Sequence, residues 1–274
     1  MSLGPLLTLV VHERMVDARR DGHATIVCSL DLGRTQTTVA TGRGDWEWQG
    51  TRYPYLASCK DRTVYYWHEA GFTPVARYTD SLVKLVATQW GAPTFEIDGI
   101  KMLPTLRTSP YEDARQKVQL IEPASKIVLD TCAGLGYFAA WCLAGGAARV
   151  QSFEKNPDVL WLRSLNPWSP SPGGALDLQL GDVVARIGDL PSATFDAALH
   201  DPPRIGIAGE LYSEVFYRAL ARVLKPRGKL FHYTGTPNRL TSGRDVPREV
   251  ASRLQSAGFE ARLVGDGVLA VKGR

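Results

Sequence analysis

The sequence predicts an α/β protein. A doubly wound, mostly parallel seven-stranded sheet fills the C-terminal half, and a small, mostly antiparallel β domain precedes it. Three observations predict this. From Lys126 onward, short apolar runs alternate with helical segments, a rhythm that builds parallel sheets with helices on both faces. The last two runs lie close together and read as a terminal hairpin. Between residues 24 and 97 the pattern differs: short β-like runs follow one another with turn residues and no helices between them.

Taken in order, Leu6–Arg20 reads as a helix. Strands are expected at 24–30, 37–40, 46–49, 63–68, 73–78, 82–88 and 94–97, separated by turns at Asp31-Leu-Gly33, Thr41-Gly-Arg-Gly44, Gly71, Gly91 and Asp98-Gly99. Residues 1–105 therefore form the β domain and 106–124 a connection. Pro104, Pro110 and Pro123 punctuate that connection, and its polar middle is able to start a helix at Tyr111. Residues 125–274 form the second domain. Its strands fall at 127–130, 149–154, 177–180, 195–200, 229–234, 260–264 and 268–271. Helices fall at 136–144, 157–166, 183–187, 212–224 and 246–257.

Composition narrows the class. The chain of 274 residues is 44% hydrophobic and 22% charged, enough to bury a real core. No apolar run approaches the ~20 residues of a membrane helix, and the N-terminal run Gly4–Val11 lacks the features of a secretory signal. Cys28, Cys59, Cys132 and Cys142 show no metal-ligand spacing, so no metal site is expected and the thiols read as reduced, in a cytoplasmic protein. The net charge of +4 permits a nucleic-acid partner without demanding one.

The strongest local pattern is Val128-Leu-Asp-Thr-Cys-Ala-Gly-Leu-Gly-Tyr-Phe138. A buried strand ends on an acid, enters a glycine-bearing turn and opens a helix. At Gly134 and Gly136 a side chain would fill the space a ligand needs. Glu154 closes the next strand, 24 residues after Asp130, where a carboxylate can accept two ribose hydroxyls. Gly181-Asp182 closes the third strand, and His200-Asp-Pro-Pro-Arg204 the fourth. Carboxyl ends of parallel strands are where such sheets bind ligands.

This pattern resembles the class I, Rossmann-like S-adenosylmethionine-dependent methyltransferases over residues 125–274. Within them, the block around Asp201-Pro-Pro-Arg204, Ala208-Gly-Glu-Leu-Tyr-Ser213, Phe216-Tyr217 and Phe231-His-Tyr-Thr-Gly235, with the earlier Phe95–Met102, is similar to an uncharacterised group of predicted archaeal methyltransferases. The resemblance implies S-adenosylmethionine as cofactor. Asp130, Gly134 and Gly136 would face its methionine part, Glu154 its ribose and Asp182 its adenine, with Cys132, Ala133, Lys155 and Val183 completing the site. It also implies that Asp201 and Pro202 orient the accepting nitrogen, with the polar tips of His200 and Tyr212 nearby; Ser213 and His232 belong to the same neighbourhood.

Several alternatives bear on this reading. A nicotinamide-binding domain is disfavoured because Ala133-Gly-Leu-Gly136 lacks the GxGxxG spacing. Asp-Pro-Pro-Arg is also similar to the turn of uridine carbon-5 methyltransferases, but no nucleophilic cysteine lies on the next strand. Arg204 stands where amine-methylating enzymes place an aromatic residue. Leu211–Tyr217 resembles a segment of spermidine synthases, and the second reading is a small-molecule transferase, including an aminopropyltransferase acting on polyamines.

The first reading is methyl transfer to a nitrogen of RNA, or of DNA. Two features point that way: the basic series Arg218, Arg222, Lys225, Arg227, Lys229, Arg239, Arg244, Arg248 and Arg253, and the aromatics Trp46, Trp48, Tyr53, Tyr55, Tyr65, Tyr66 and Trp67 interleaved with Arg43, Arg52, Lys60 and Arg62. Basic side chains track phosphates and exposed rings stack on unpaired bases. The plainer readings are a solvated helix surface and half-buried strands.

Overall fold

The computed structural model describes residues 4–235 and 245–274. The chain divides into two compact units, one of Met1–Glu112 with Trp161–Ser169, the other of Asp113–Leu160 with Pro170–Arg274.

The first unit contains α1 (Leu9–Arg20) and eleven short strands: β1 (Leu6–Leu7), β2 (Thr25–Cys28), β3 (Thr37–Thr41), β4 (Asp45–Trp48), β5 (Thr51–Pro54), β6 (Tyr65–His68), β7 (Gly71–Pro74), β8 (Ala76–Tyr78), β9 (Leu82–Val86), β10 (Thr94–Ile97) and β11 (Ile100–Lys101). They form three antiparallel sheets, ordered β1-β6-β7, β2-β3-β4-β5 and β11-β10-β9-β8. The helix expected from Leu6 begins only at Leu9. Leu6 and Leu7 instead pair with Tyr66 and Tyr65, which buries both leucines. The strand expected over 73–78 breaks at Val75, whose N–H donates to Val64 and whose carbonyl accepts from Leu85. That one residue passes the chain from one sheet to another.

The aromatic strand residues largely form a core. Trp46 and Tyr53 are buried and stack at 4.6 Å, and Trp67 meets Phe72 edge-on at 5.1 Å. Arg52 pairs with Glu47 at 3.5 Å, and Arg62 forms an ion pair with the buried Glu96. The base-stacking platform expected from Trp46, Tyr53 and Tyr65 is therefore corrected: these rings are spent on packing, where each large aromatic burial contributes most.

The second unit is the seven-stranded sheet. Its strands are β12 (Ile127–Asp130), β13 (Arg149–Glu154), β14 (Leu176–Leu180), β15 (Phe195–His200), β16 (Leu224–Tyr233), β17 (Phe259–Val264) and β18 (Gly267–Lys272), in the order β14-β13-β12-β15-β16-β18-β17. The first five run parallel and the last two form the antiparallel hairpin that the sequence predicts. The helices are α2 (Pro110–Ile121), whose first residues belong to the other unit, then α3 (Tyr137–Ala144), α4 (Pro157–Ser164), α5 (Val183–Arg186), α6 (Glu214–Val223) and α7 (Val246–Ser256).

Helix α6 forms because Ser213 caps it, accepting from the Phe216 N–H at 3.1 Å, and because Phe216, Tyr217, Leu220 and Val223 recur on one buried face. Together with Val246, Val250 and Leu254 of α7 they cover the sheet as one apolar cluster. Among the described residues no helix is long and apolar enough to cross a membrane.

The hairpin is fastened to the end of β16. The Asp266 carbonyl accepts from the N–H groups of both Thr234 and Gly235. Gly267 must be glycine for space, since a Cβ there would lie 2.5 Å from the His232 carbonyl and 2.6 Å from the Phe231 ring. Gly267→Ala is expected to lower stability by about 1–3 kcal/mol in urea denaturation, the usual scale for overfilling a packed site. A change within error would show that the hairpin can shift freely.

Candidate active site

The parallel strands deliver their last residues to one level. Thr131 to Gly136 turn from β12 into α3, with Gly134 and Gly136 at φ of 49° and 80°, a left-handed backbone costly for residues that carry a Cβ. The turn is tied to β13 twice. Ala133 N–H donates to the Phe153 carbonyl at 2.8 Å, and Gly134 N–H to Glu154 Oε2 at 2.9 Å. Glu154 Oε1 accepts from the Asn156 N–H at 3.0 Å, so both oxygens of this carboxylate are fixed in place. Each retains capacity for a further donor such as a sugar hydroxyl. Buried Asp130 accepts from the Ser152 hydroxyl at 2.9 Å. Asp182 caps α5, accepting from the Val184 N–H at 2.8 Å, with Lys155 at 3.4 Å from its other oxygen; Val183 is buried behind it. The sequence-predicted cofactor residues thus share the ends of three adjacent strands. Glycines where a ligand's backbone approach needs them, beside a braced carboxylate, fit an adenosyl group.

Cys132 sits between this half and the next. Burial holds its thiol well above the usual range, with Glu154, Asp130 and Asp201 adding to the effect. It is a neutral thiol rather than a nucleophile.

The fourth strand ends in His200 and Asp201. His200 Nε2 lies 2.9 Å from the Leu211 carbonyl, and its Nδ1 lies 2.7 Å from the Thr131 hydroxyl. A carbonyl only accepts, so Nε2 carries the proton and Nδ1 takes the hydroxyl's. His232, at the end of β16, has the opposite tautomer. Its Nδ1 donates to the Tyr233 carbonyl at 2.9 Å and its Nε2 accepts from Tyr217 at 2.8 Å. Burial lowers His200 to about 4 and holds His232 well below the usual imidazole range, so both rings are neutral. Fully buried and with both nitrogens engaged, His200 acts on the site through the backbone it holds.

Tyr212 is also buried. Its hydroxyl donates to the Pro203 carbonyl at 3.1 Å, and its own carbonyl accepts from Arg253 at 2.8 Å. It therefore braces the Asp201-Pro202-Pro203 turn from behind.

Asp201 is half-buried, and its carboxyl is raised to about 7, first by burial and then by Asp113, Asp266 and Asp130, against the pull of Lys117. The sequence pattern missed most of this surrounding group. Lys117 and Asp113 lie on the connecting helix α2, Tyr233 ends β16, and Asp266 turns the terminal hairpin. The Lys117 ammonium pairs with Asp113 at 2.6 Å, lies 4.0 Å from Asp266, and sits 3.6 Å from the centre of the Tyr233 ring. The cluster is rich in carboxylates. Among the described residues no group of three or more His, Cys, Asp or Glu is placed to hold a metal.

The basic series is largely neutralised by its own surroundings. Arg218 pairs with Glu214 at 2.5 Å, Lys225 with Asp196 at 2.7 Å, Lys229 with Glu122 at 2.7 Å, Arg248 with Asp245 at 3.3 Å and Arg253 with Glu249 at 3.6 Å. Arg222 donates to the Ile187 and Leu190 carbonyls at 2.6 and 2.7 Å. Arg239 and Arg244 lie outside the described residues. Most described members of the expected phosphate-tracking series thus have an acidic or carbonyl partner.

No family model matches the chain. It is 41% identical over 216 residues to the uncharacterised protein MJ1233 of Methanocaldococcus jannaschii, covering 77% of this chain and 74% of that one. Over 57 residues it is 42% identical to polyamine aminopropyltransferase 2 of Streptomyces coelicolor, which is 20% of this chain and 10% of that protein. The crystal structure of a spermidine synthase in complex with the transition-state analogue AdoDATO superposes with a TM-score of 0.58 at 16% identity, covering 72% of this chain and 73% of that one. That likeness shows the Rossmann-like fold.

Asp201 gives a pH signature. Its folded-state value lies above the unfolded 3.8, so its contribution to stability is complete below that value and declines as pH rises toward 7. The buried histidines act oppositely at lower pH. The difference between wild type and Asp201→Asn isolates the carboxyl: the variant should gain stability relative to wild type between about pH 4 and about pH 7 in urea melts. A pH-independent difference would place Asp201 in an ordinary solvated setting.

Proposed function

The chain belongs to the same family as MJ1233 of Methanocaldococcus jannaschii, and on that premise we propose that it is a transferase that uses an S-adenosylmethionine-type sulfonium to alkylate the nitrogen of a small cationic amine. One observation carries the choice of acceptor: Asp201 feels three negative charges, Asp113 on α2, Asp266 in the hairpin turn and Asp130 at the end of β12, against the single positive charge of Lys117. Such a field attracts an ammonium and repels a phosphate backbone. The donor would rest on the Gly134–Gly136 turn and Asp130, with Glu154 and Asp182 taking the nucleoside, and it supplies an electrophilic carbon next to a positive sulfur.

The rest falls to the chain's own residues. The carboxylate of Asp201 accepts an N–H of the incoming amine and fixes its direction. A value of about 7 suits it to take the proton that the amine must lose to become nucleophilic. Pro202 and Pro203 restrict the backbone of the turn, and Tyr212 anchors it through the Pro203 carbonyl. His200 ties the same turn to the cofactor loop, from Leu211 to Thr131. Positioning of this kind supplies much of the rate in a direct displacement. The local likeness to the Streptomyces coelicolor aminopropyltransferase supports the same acceptor class.

A second reading, methyl transfer to an exocyclic nitrogen of RNA, is favoured by the Asp201-Pro202-Pro203 turn itself.

The two are separated by mass spectrometry of products formed with S-adenosylmethionine or its decarboxylated form, offered with alkylamines, with polyamines or with RNA. Modified amine supports the proposal, and modified RNA with untouched amines replaces it by the second reading. Asp201→Asn is expected to lower turnover about 10²–10⁴-fold, the range of a lost general base, with donor affinity retained. Glu154→Ala should instead weaken donor binding about tenfold or more in calorimetry, as expected for lost hydrogen bonds to a charged group.

A further inference from the structure

Lys117 is nearly sealed, its side chain 4% exposed, although its ammonium is surrounded by groups that recognise a free primary amine as readily as a tethered one. Asp113 lies one turn earlier on α2, at 2.6 Å. The Tyr233 face lies 3.6 Å from the nitrogen, within range of a cation–π contact. Asp266 approaches to 4.0 Å from the hairpin turn. These three come from three separate elements and converge on one nitrogen. Such burial is costly for a lysine and is rarely the cheapest way to stabilise a helix, since apolar residues of similar volume do as well or better. The seated group is itself a butylammonium, so the cage is already shown holding the end of an aliphatic primary amine. Asp201 feels the charge of the same ammonium.

We propose that Lys117 is a specificity-determining residue: it fills with its own ammonium the cage of Asp113, Asp266 and Tyr233, leaving Asp201 to receive an acceptor bearing a single amine. The inference rests on the amine-transferase reading and names its substrate class as monoamines over diamines. With Lys117 and Asp113 neutralising each other, the remaining carboxylates attract one further cation. A diamine that reached Asp201 with one end would bring its other ammonium against Lys117, a like-charge contact in a poorly hydrated place. Removing the lysine turns the cage into a second ammonium site and reverses that preference.

The test is isothermal titration of wild type, Lys117→Met and Lys117→Gln, each saturated with S-adenosylhomocysteine, with 1-aminobutane and with 1,4-diaminobutane as probes. Wild type should favour the monoamine. Both variants should raise diamine affinity relative to monoamine by about tenfold to a hundredfold, the worth of one charge-assisted contact. Loss of a buried lysine leaves Asp113 unpaired, so melting of each variant is followed as well. Even a weakened Lys117→Met should gain more midpoint temperature from 1,4-diaminobutane than from 1-aminobutane, while wild type gains more from 1-aminobutane.

An unchanged diamine-to-monoamine ratio in folded variants, with no reversal of the amine order in melting, overturns the proposal and leaves Lys117 a structural ion pair. If wild type binds the monoamine and that ratio stays fixed, the amine-transferase reading stands and the role of Lys117 falls alone. If wild type binds S-adenosylhomocysteine and neither amine, while the variants gain the diamine, the cage is upheld and the amine-transferase reading fails. If no protein binds either amine, both fail together.

Discussion

A parallel sheet must end somewhere, and where its strands stop, the ladder stops with them. Buried peptide groups at that level need partners or cost several kilocalories together. Here the strand ends are joined sideways by backbone and side-chain hydrogen bonds together. Ser152 reaches Asp130, the Thr131 N–H reaches the Leu199 carbonyl at 3.1 Å, and the glycine turn reaches Glu154 and Phe153. The same few bonds that close the sheet also fix the groups that face a ligand. Fold and site are two descriptions of one set of hydrogen bonds, which is why ligands collect at this end of such sheets.

Acidity follows from the same constraint. Carboxylates brought together at the strand ends repel and are poorly solvated, so Asp201 holds its proton to about 7 and Asp113 is also raised by burial. The helix that precedes the sheet answers with a single ammonium. Part of the sheet's stability is thereby exchanged for a charged floor, a common bargain at reactive sites.

How much of this was legible in the sequence depended on distance along the chain. Strands 127–130, 149–154 and 195–200 were expected with the bounds observed, because short apolar runs closed by an acid or histidine leave little choice. The glycine turn and Glu154 were legible for the same reason. Leu6 and Leu7 were not: an apolar pair entering a helix looks helical until Tyr65 and Tyr66, far downstream, claim it as a strand. The Lys117 cage was invisible, since residues 113, 117, 233 and 266 share no local pattern and charges on a linker helix look solvated. The basic series was legible as a count, but its local pairs, such as Glu214 with Arg218 one turn on, were not. The two histidines were legible as neighbours, but only their partners show that each is fixed in one tautomer.

Those tautomers limit how protons travel. His200 and His232 stand edge to face with ring centres 4.4 Å apart, and each passes its N–H to a peptide carbonyl. A carbonyl cannot hand a proton onward, so both imidazoles are ends of their chains rather than links. The strand ends therefore contain two residues famous for relaying protons and no relay through them. A proton on the Asp201 carboxyl therefore gains no inward route through either ring.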